Sequence, residues 1–230
     1  MSEATDRAVL WDLDGVIAPT EEICAAAHCA TVQHYGGGLF GLDFYQRIQG
    51  VGRSHEAVRT DFLTASGLQV SAAEYTRTFQ KLKKAMMADL KPNPGIRELL
   101  AVLRKDGYHL GLVTTSRLSS VNEVLKICRL TEAFDLLVTA DDVRITKPAP
   151  DPYLLALKRF HQPAGRVVAI EDSETGIRSA VEAGLAVIGY RYDLNDNHDF
   201  SRAKFVIDSF EDTTGLLNLI GQLIQRGKLI

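Results

Sequence analysis

The sequence predicts an α/β fold: a parallel sheet with helices on both faces, interrupted by an inserted all-helical segment. Three observations carry this. Ala8-Val-Leu-Trp11 is a short apolar run that ends in Asp12-Leu-Asp14-Gly15, the pattern of a strand buried in a sheet covered on both sides. No strand-like run follows between Ile17 and Pro92. Beyond Pro94, apolar runs of strand length alternate with helical stretches, which argues a covered parallel sheet with right-handed crossovers.

The first strand delivers two carboxylates to its carboxyl end, the edge at which open α/β sheets bind ligands. In extended chain residues i and i+2 share a face, so Asp12 and Asp14 can approach one site if the strand runs that far. Gly15 permits a turn behind them. A calcium loop is excluded, because Val16, Ile17 and Ala18 stand where further oxygen ligands would be needed. Residues 21–35 are helical, with Ile23, Ala26, Ala27, Ala30 and Thr31 on or near one face. Gly36-Gly37-Gly38 end that helix, and Gly41, Gly50 and Gly52 predict an irregular stretch behind it. A nucleotide-binding loop would need Gly-Lys-Ser/Thr after the glycines, and none follows. Helices are expected over 54–66 and 72–89, the second with Ser71 as N-cap and Glu74 three residues on. Pro92-Asn93-Pro94-Gly95 closes the region.

The rest alternates. Helices are expected over 96–105, 119–128, 153–160, 173–183 and 213–225, and strands over 110–114, 136–139, 167–170 and 186–188, with a last edge strand at 205–207. These boundaries predict a Rossmann-like core made of residues 1–17 and 93–230, and a helical insertion over 18–92.

Composition narrows the function. A chain of 230 residues can bury a sizeable core, and 46% apolar with 24% charged residues is ordinary for a globular protein. A formal net charge of -3 offers no basic footprint for nucleic acid. The opening Met-Ser-Glu-Ala-Thr-Asp-Arg is polar with no apolar signal region behind it, and no apolar run approaches the roughly 18 residues of a membrane span. Three cysteines, Cys24, Cys29 and Cys128, are too few for a disulfide framework. A cytoplasmic location is therefore expected, with no membrane partner. Cys24 and Cys29 lack a second Cys or His pair at metal-ligand spacing and read as buried small apolar residues.

Four expected strand ends carry polar groups that would share one edge of the sheet. They are Asp12 and Asp14, Thr114-Thr115-Ser116, Thr146-Lys147-Pro148, and Glu171-Asp172-Ser173. Together they supply a nucleophile, an acid, hydroxyl donors, a fixed cation and carboxylates for a hard divalent ion. Each also has a plainer reading. Lys147 could be a surface lysine, Thr114 to Ser116 an N-cap, and Glu171 a residue that orients Lys147 instead of a ligand.

In order and over essentially the whole chain, these four groups resemble the motifs of the haloacid dehalogenase superfamily, in its beta-phosphoglucomutase and phosphoglycolate-phosphatase-like subgroup with a helical cap. The resemblance implies Asp12 as nucleophile, Asp14 as general acid and base, Thr114 as phosphate-binding hydroxyl and Lys147 as the third motif's lysine. It implies Mg2+ as cofactor, at a site formed by Asp12, Asp172, the main-chain oxygen of Asp14, and Glu171. The residue 18–92 insertion matches the family's cap. Thr115 and Ser116, near a helix start, would hold the transferring phosphoryl oxygens through their main-chain N–H groups.

Asp14 places carbon–halogen and carbon–phosphorus cleavage low, since relatives with those activities lack an acid two residues after the nucleophile. Mutases of the subgroup carry a threonine shortly after the first motif, matched by Thr20, and a cap histidine. Here Cys24 takes the histidine's position, His28 lies one helical turn on, and Pro19 replaces an acidic residue. These departures favour a phosphatase acting on a small phosphorylated metabolite, with a sugar mutase as the alternative. A non-catalytic phosphate-binding regulatory protein is the alternative of another class. Substrate contacts are expected from Gly52 and Arg53, within a glycine-containing loop suited to closing over a site. Lys83 and Lys84 could face that site, though so basic a helix is more often solvated.

Overall fold

The structure, a computed structural model, describes residues 7–226. The polar opening, apart from Arg7, lies outside the described residues. Strands β1 (Ala8–Trp11), β2 (His109–Val113), β3 (Leu136–Val138), β4 (Val167–Glu171), β5 (Ala186–Tyr190) and β6 (Phe205–Ile207) form a parallel sheet in the order β3-β2-β1-β4-β5-β6. Trp11 pairs with Leu112 on one side and Ile170 on the other. The chain thus winds outward in both directions from β1, and the switch point lies where β1 ends between β2 and β4. This is the Rossmann-like parallel architecture expected, with β6 at an edge.

The helices are α1 (Thr20–His34), α2 (Leu42–Arg47), α3 (His55–Ser66), α4 (Ala72–Met86), α5 (Ile96–Lys105), α6 (Leu118–Ile127), α7 (Asp151–Phe160), α8 (Glu174–Glu182) and α9 (Thr213–Arg226). Alternation along β1 sorts them onto two faces. Val9 and Trp11 pack with Leu99 and Leu103 of α5, Val121 of α6 and Ile220 of α9. Ala8 and Leu10 pack with Tyr153 and Ala156 of α7 and Ile177 of α8. Every β1 side chain is fully buried, so truncating Leu10 to Ala should cost about 2–5 kcal/mol.

Helices α1 to α4 bury a cluster of their own, with Ala25, Val32, Tyr45, Phe62, Tyr75 and Phe79 at its centre. The sheet contributes nothing to this cluster, but Leu194 and Tyr192 from the turn after β5 join it. The capping box expected at α4 is present: Ser71 Oγ accepts from the Glu74 amide at 3.2 Å, and the Glu74 carboxylate accepts from the Ser71 amide at 3.3 Å.

Three expectations need correction. Residues 42–47 form helix α2 instead of an irregular stretch, because the glycines flank these residues without interrupting them and Tyr45 can be buried. The helix expected over 72–89 gives way after Met86 to a tight 3-10 turn, Met87–Asp89. Cys24 and Cys29 are only half-buried, while Cys128 is buried. Among the described residues no helix is long and apolar enough to cross a membrane.

Candidate active site

Except for Lys147, the chemistry-bearing side chains stand at or just past the carboxyl end of a strand. Asp12 is the first residue beyond β1, and its amide still donates to Ile170 O of β4 at 3.0 Å. The strand stops there, so Asp14 is placed by a turn and not by strand alternation. That turn depends on Gly15, whose φ is +81°. A Cβ there would stand 2.0 Å from Asp172 Oδ2, so only glycine lets the turn lie against this carboxylate. Thr114 follows β2, with its amide on Val138 O at 3.0 Å. Glu171 ends β4 and Asp172 follows it. Ser173 caps α8, its Oγ accepting from the Gly176 amide at 3.1 Å.

Lys147 reaches in from the loop between β3 and α7. Its Nζ donates to Asp12 Oδ1 and Glu171 Oε1, each at 2.5 Å, and to Val113 O at 2.8 Å. The side chain is 3% exposed, which excludes the surface-lysine reading. Tyr153 Oη adds a bond to Glu171 Oε1 at 2.6 Å.

Carboxylate oxygens of Asp12, Glu171 and Asp172 lie within 4.8 Å of one another, and all three residues are buried. Burial pushes the Asp12 and Asp172 carboxyls well above the usual carboxylate range, and mutual repulsion with Glu171 adds to it; Lys147 opposes the shift at Asp12. Burial works against the Lys147 ammonium, but Asp12 and Glu171 more than offset this and hold its pKa above that of an ordinary lysine. Three crowded carboxylates thus face one ammonium, and Glu171 Oε2 is buried with no hydrogen-bond partner. This donor set fits a hard divalent cation. Glu171 has one oxygen on Lys147 and one spare, so both sequence readings of it remain compatible with its position.

Asp14 stands outside that trio. Thr20 Oγ1 donates to its Oδ1 at 2.6 Å, and Ser116 Oγ donates to its Oδ2 at 2.8 Å. Thr114 Oγ1 lies 3.5 Å from the same Oδ2 and accepts from the Ser116 amide at 3.0 Å. Thr20 is buried and reaches the site only through Asp14.

These groups open onto a cavity of about 320 Å3, whose lining includes Asp12, Asp14, Thr115, Ser116, Lys147 and Asp172. Other lining residues come from the segment between β1 and β2: Glu21, Cys24, His28, Gly52, Arg53 and Lys83 among them. Gly52 lies against the start of α8, where a Cβ would meet Ser173 Cβ at 2.8 Å. Arg53 borders the cavity, yet its Nη1 is held by Asp61 Oδ2 at 2.8 Å and Ile48 O at 2.6 Å. Lys83 turns toward the cavity, which corrects the solvated reading, while Lys84 is exposed. Burial opposes its charge, but Cys24 and Asp14 hold its pKa above the ordinary value.

The histidine question has a physical answer here. Burial pushes the Cys24 thiol up to about 12, so it stays protonated. His28 sits among aromatic rings with Nδ1 2.9 Å from Tyr75 Oη, and burial, aided by His55, lowers it to about 3. His55 is lowered to about 4, again chiefly by burial. Glu21 runs the other way: burial, then the charge of Asp14, raises it to about 7.

Sequence reasoning missed Glu21, Tyr153, Asn93, Tyr192 and Asn195. Glu21 had a signal, since it follows Thr20 on the same helical turn. Tyr153 closes the stretch Lys147-Pro-Ala-Pro-Asp-Pro-Tyr153, six residues beyond the lysine already singled out. Tyr192 and Asn195 had none, being loop residues without periodicity that act on Asp172.

A family model described as haloacid dehalogenase-like hydrolase matches residues 9–190. The phosphorylated carbohydrates phosphatase of Thermotoga maritima is 32% identical over 192 residues, which are 83% of this chain and 88% of that protein. The crystal structure of CbbY from Rhodobacter sphaeroides in complex with phosphate is 30% identical with a TM-score of 0.75, covering 90% of this chain and 95% of that one. A beta-phosphoglucomutase structure from Clostridium difficile covers 97% of this chain and 99% of its own, with a TM-score of 0.75. At 21% identity it shows a shared fold and no more.

Proposed function

From the premise that this chain belongs to the haloacid dehalogenase-like hydrolases, as a phosphoric monoester hydrolase, we propose that it is a Mg2+-dependent phosphatase. Its substrate is a small phosphate monoester, a sugar phosphate or similar metabolite, and the reaction runs through an aspartyl phosphate. Residues 18–92 serve as a cap over the site. The observation that carries the reading is the meeting of Asp12, Lys147 and the Glu171–Asp172 pair beside a second carboxylate, Asp14, held by Thr20 and Ser116. The phosphorylated substrates named for the Thermotoga relative support the substrate class.

A phosphate monoester is close to dianionic at neutral pH, so a carboxylate approaches phosphorus only where that charge is offset. Asp12, Asp172, Glu171 and the main-chain oxygen of Asp14 would hold Mg2+, which would supply positive charge to the phosphoryl oxygens. Lys147 adds a fixed cation, and its bond to Asp12 Oδ1 orients the nucleophile. The Thr115 and Ser116 amides and the Thr114 hydroxyl hold the transferring oxygens once the Ser116 amide gives up the bond it makes to Thr114 Oγ1 at 3.0 Å. Asp12 attacks phosphorus, and Asp14 protonates the leaving oxygen. Asp14 then takes a proton from the water that cleaves the aspartyl phosphate.

Hydrolysis is favoured over mutase chemistry because Cys24 takes the place of the mutases' cap histidine, and burial lowers the pKa of the two cap histidines that line the cavity, His28 and His55. Cys24 stays protonated, and burial keeps His28 and His55 neutral. The test is Mg2+-dependent phosphate release from para-nitrophenyl phosphate by wild type and Asp12→Asn. Wild type should turn over and a folded Asp12→Asn should not; equal rates would remove Asp12 as nucleophile. Conversion of beta-glucose 1-phosphate to the 6-phosphate with little phosphate released would favour the mutase.

A further inference from the structure

We propose that the turn over residues 192–197 is a positioning element coupling the seating of the cap to the placement of Asp172. This rests on the reading of Asp172 as a cation ligand. The turn grips both partners. Toward the sheet, Tyr192 Oη donates to Asp172 Oδ2 at 2.7 Å, and Asn195 Nδ2 donates to Asp172 O at 2.7 Å. Asn195 is fully buried, and its Oδ1 accepts from the Tyr192 amide at 2.7 Å, which locks the two into one unit.

Toward the cap, the same turn sends Leu194, 4% exposed, into the hydrophobic cluster of α1 to α4. Gln46 of α2 donates from Nε2 to Asp193 O at 2.7 Å and to Asp196 Oδ1 at 2.6 Å. Asn197 Nδ2 answers with a bond to Gln46 O at 2.9 Å. One rigid turn is therefore fastened to the cap on one side and holds a carboxylate on the other. Partners behind a metal ligand fix its orientation and tune its affinity. When the cap leaves its seat, Leu194 and the Gln46 bonds go with it, and the Tyr192 hydroxyl loses its fixed aim at Asp172. Cation binding and cap seating then favour each other reciprocally.

The test uses the full chain. Gln46 does not line the cavity, so Gln46→Ala loosens the cap side alone, while Tyr192→Phe removes the hydroxyl on Asp172. Mg2+ binding is read by titration calorimetry, and amide hydrogen exchange of residues 171–176 is read without added cation. Tyr192→Phe should weaken Mg2+ binding about tenfold or more. Gln46→Ala should weaken it about fivefold, the worth of one net hydrogen bond, and should speed exchange over 171–176. The double variant should lose less than the product of the single losses. A Gln46→Ala protein that matches wild type in both Mg2+ affinity and exchange overturns the coupling. A wild type that binds no Mg2+ overturns the metal reading of the site instead, and the exchange difference then decides the coupling on its own.

Discussion

At Asp14 two hydroxyl hydrogen bonds set what the carboxyl can do. Both of its oxygens accept from hydroxyls, Thr20 on one and Ser116 on the other, so the group is aimed but must exchange a partner to pass a proton onward. Thr20→Val keeps the shape and removes the aim. We expect kcat to fall, by up to about 10²-fold, with KM little changed, in steady-state kinetics against a small phosphate ester. Glu21 sets a second expectation. Raised to about 7, chiefly by burial, it is neutral below that pH and anionic above it, facing the cavity that admits a phosphate dianion in the proposed reaction. KM should therefore climb as pH passes 7, and Glu21→Gln should flatten that limb. Of these residues Asp14 was legible from its spacing to Asp12, and Thr20 only through the resemblance to the family. The pKa of Glu21 was not legible, because its burial depends on groups distant in sequence, Tyr45 and Gly52, that close around it.

Among the elements, α1 and α4 carry a titratable device inside an apolar cluster. His28 of α1 is 2% exposed and lies tilted against Phe79 of α4 with ring centroids 4.3 Å apart. Its pKa falls from 6.5 to about 3, mainly through burial. The folded state therefore holds it neutral, and the stability this gives is complete above pH 6.5 and lost as pH drops toward 3. Between pH 6.5 and 4.5 the loss should be about 2 kcal/mol. Urea unfolding of wild type and His28→Phe checks this: wild type should lose more stability over that range than the variant does. The helices themselves were readable from periodicity and caps, α4 most clearly through Ser71 and Glu74. Helix α2 was not, since six residues between glycines carry too little periodic signal. The 192–197 turn was not either, because its stabilising contacts come from two distant parts of the chain.

For the whole molecule, alternation along the sequence implied a covered parallel sheet, while the order of its strands is a tertiary fact. That order puts β1 between β2 and β4, and this alone brings Asp12, Thr114 and Asp172 to one crevice. The helical segment leaves the sheet over residues 15–18 and returns over 92–95, and Asn93 ties the two crossings together. Its Nδ2 donates to Gly15 O at 2.6 Å and Val16 O at 2.9 Å, and its amide donates to Ile17 O at 2.9 Å. The residue is 9% exposed, so water cannot readily replace these bonds. Asn93→Ala keeps the amide bond but strips the side-chain donor from two carbonyls, at a cost of about 2–3 kcal/mol. For a chain of this size that corresponds to a melting temperature lower by roughly 4–12 °C. If the paired crossings act as one hinge, the variant should also close less readily over its substrate, so KM should rise by a larger factor than kcat falls. Thermal unfolding and steady-state kinetics on the same preparation separate the two effects. A lowered melting temperature with unchanged KM would leave Asn93 as a fastening of the fold and not a part of closure.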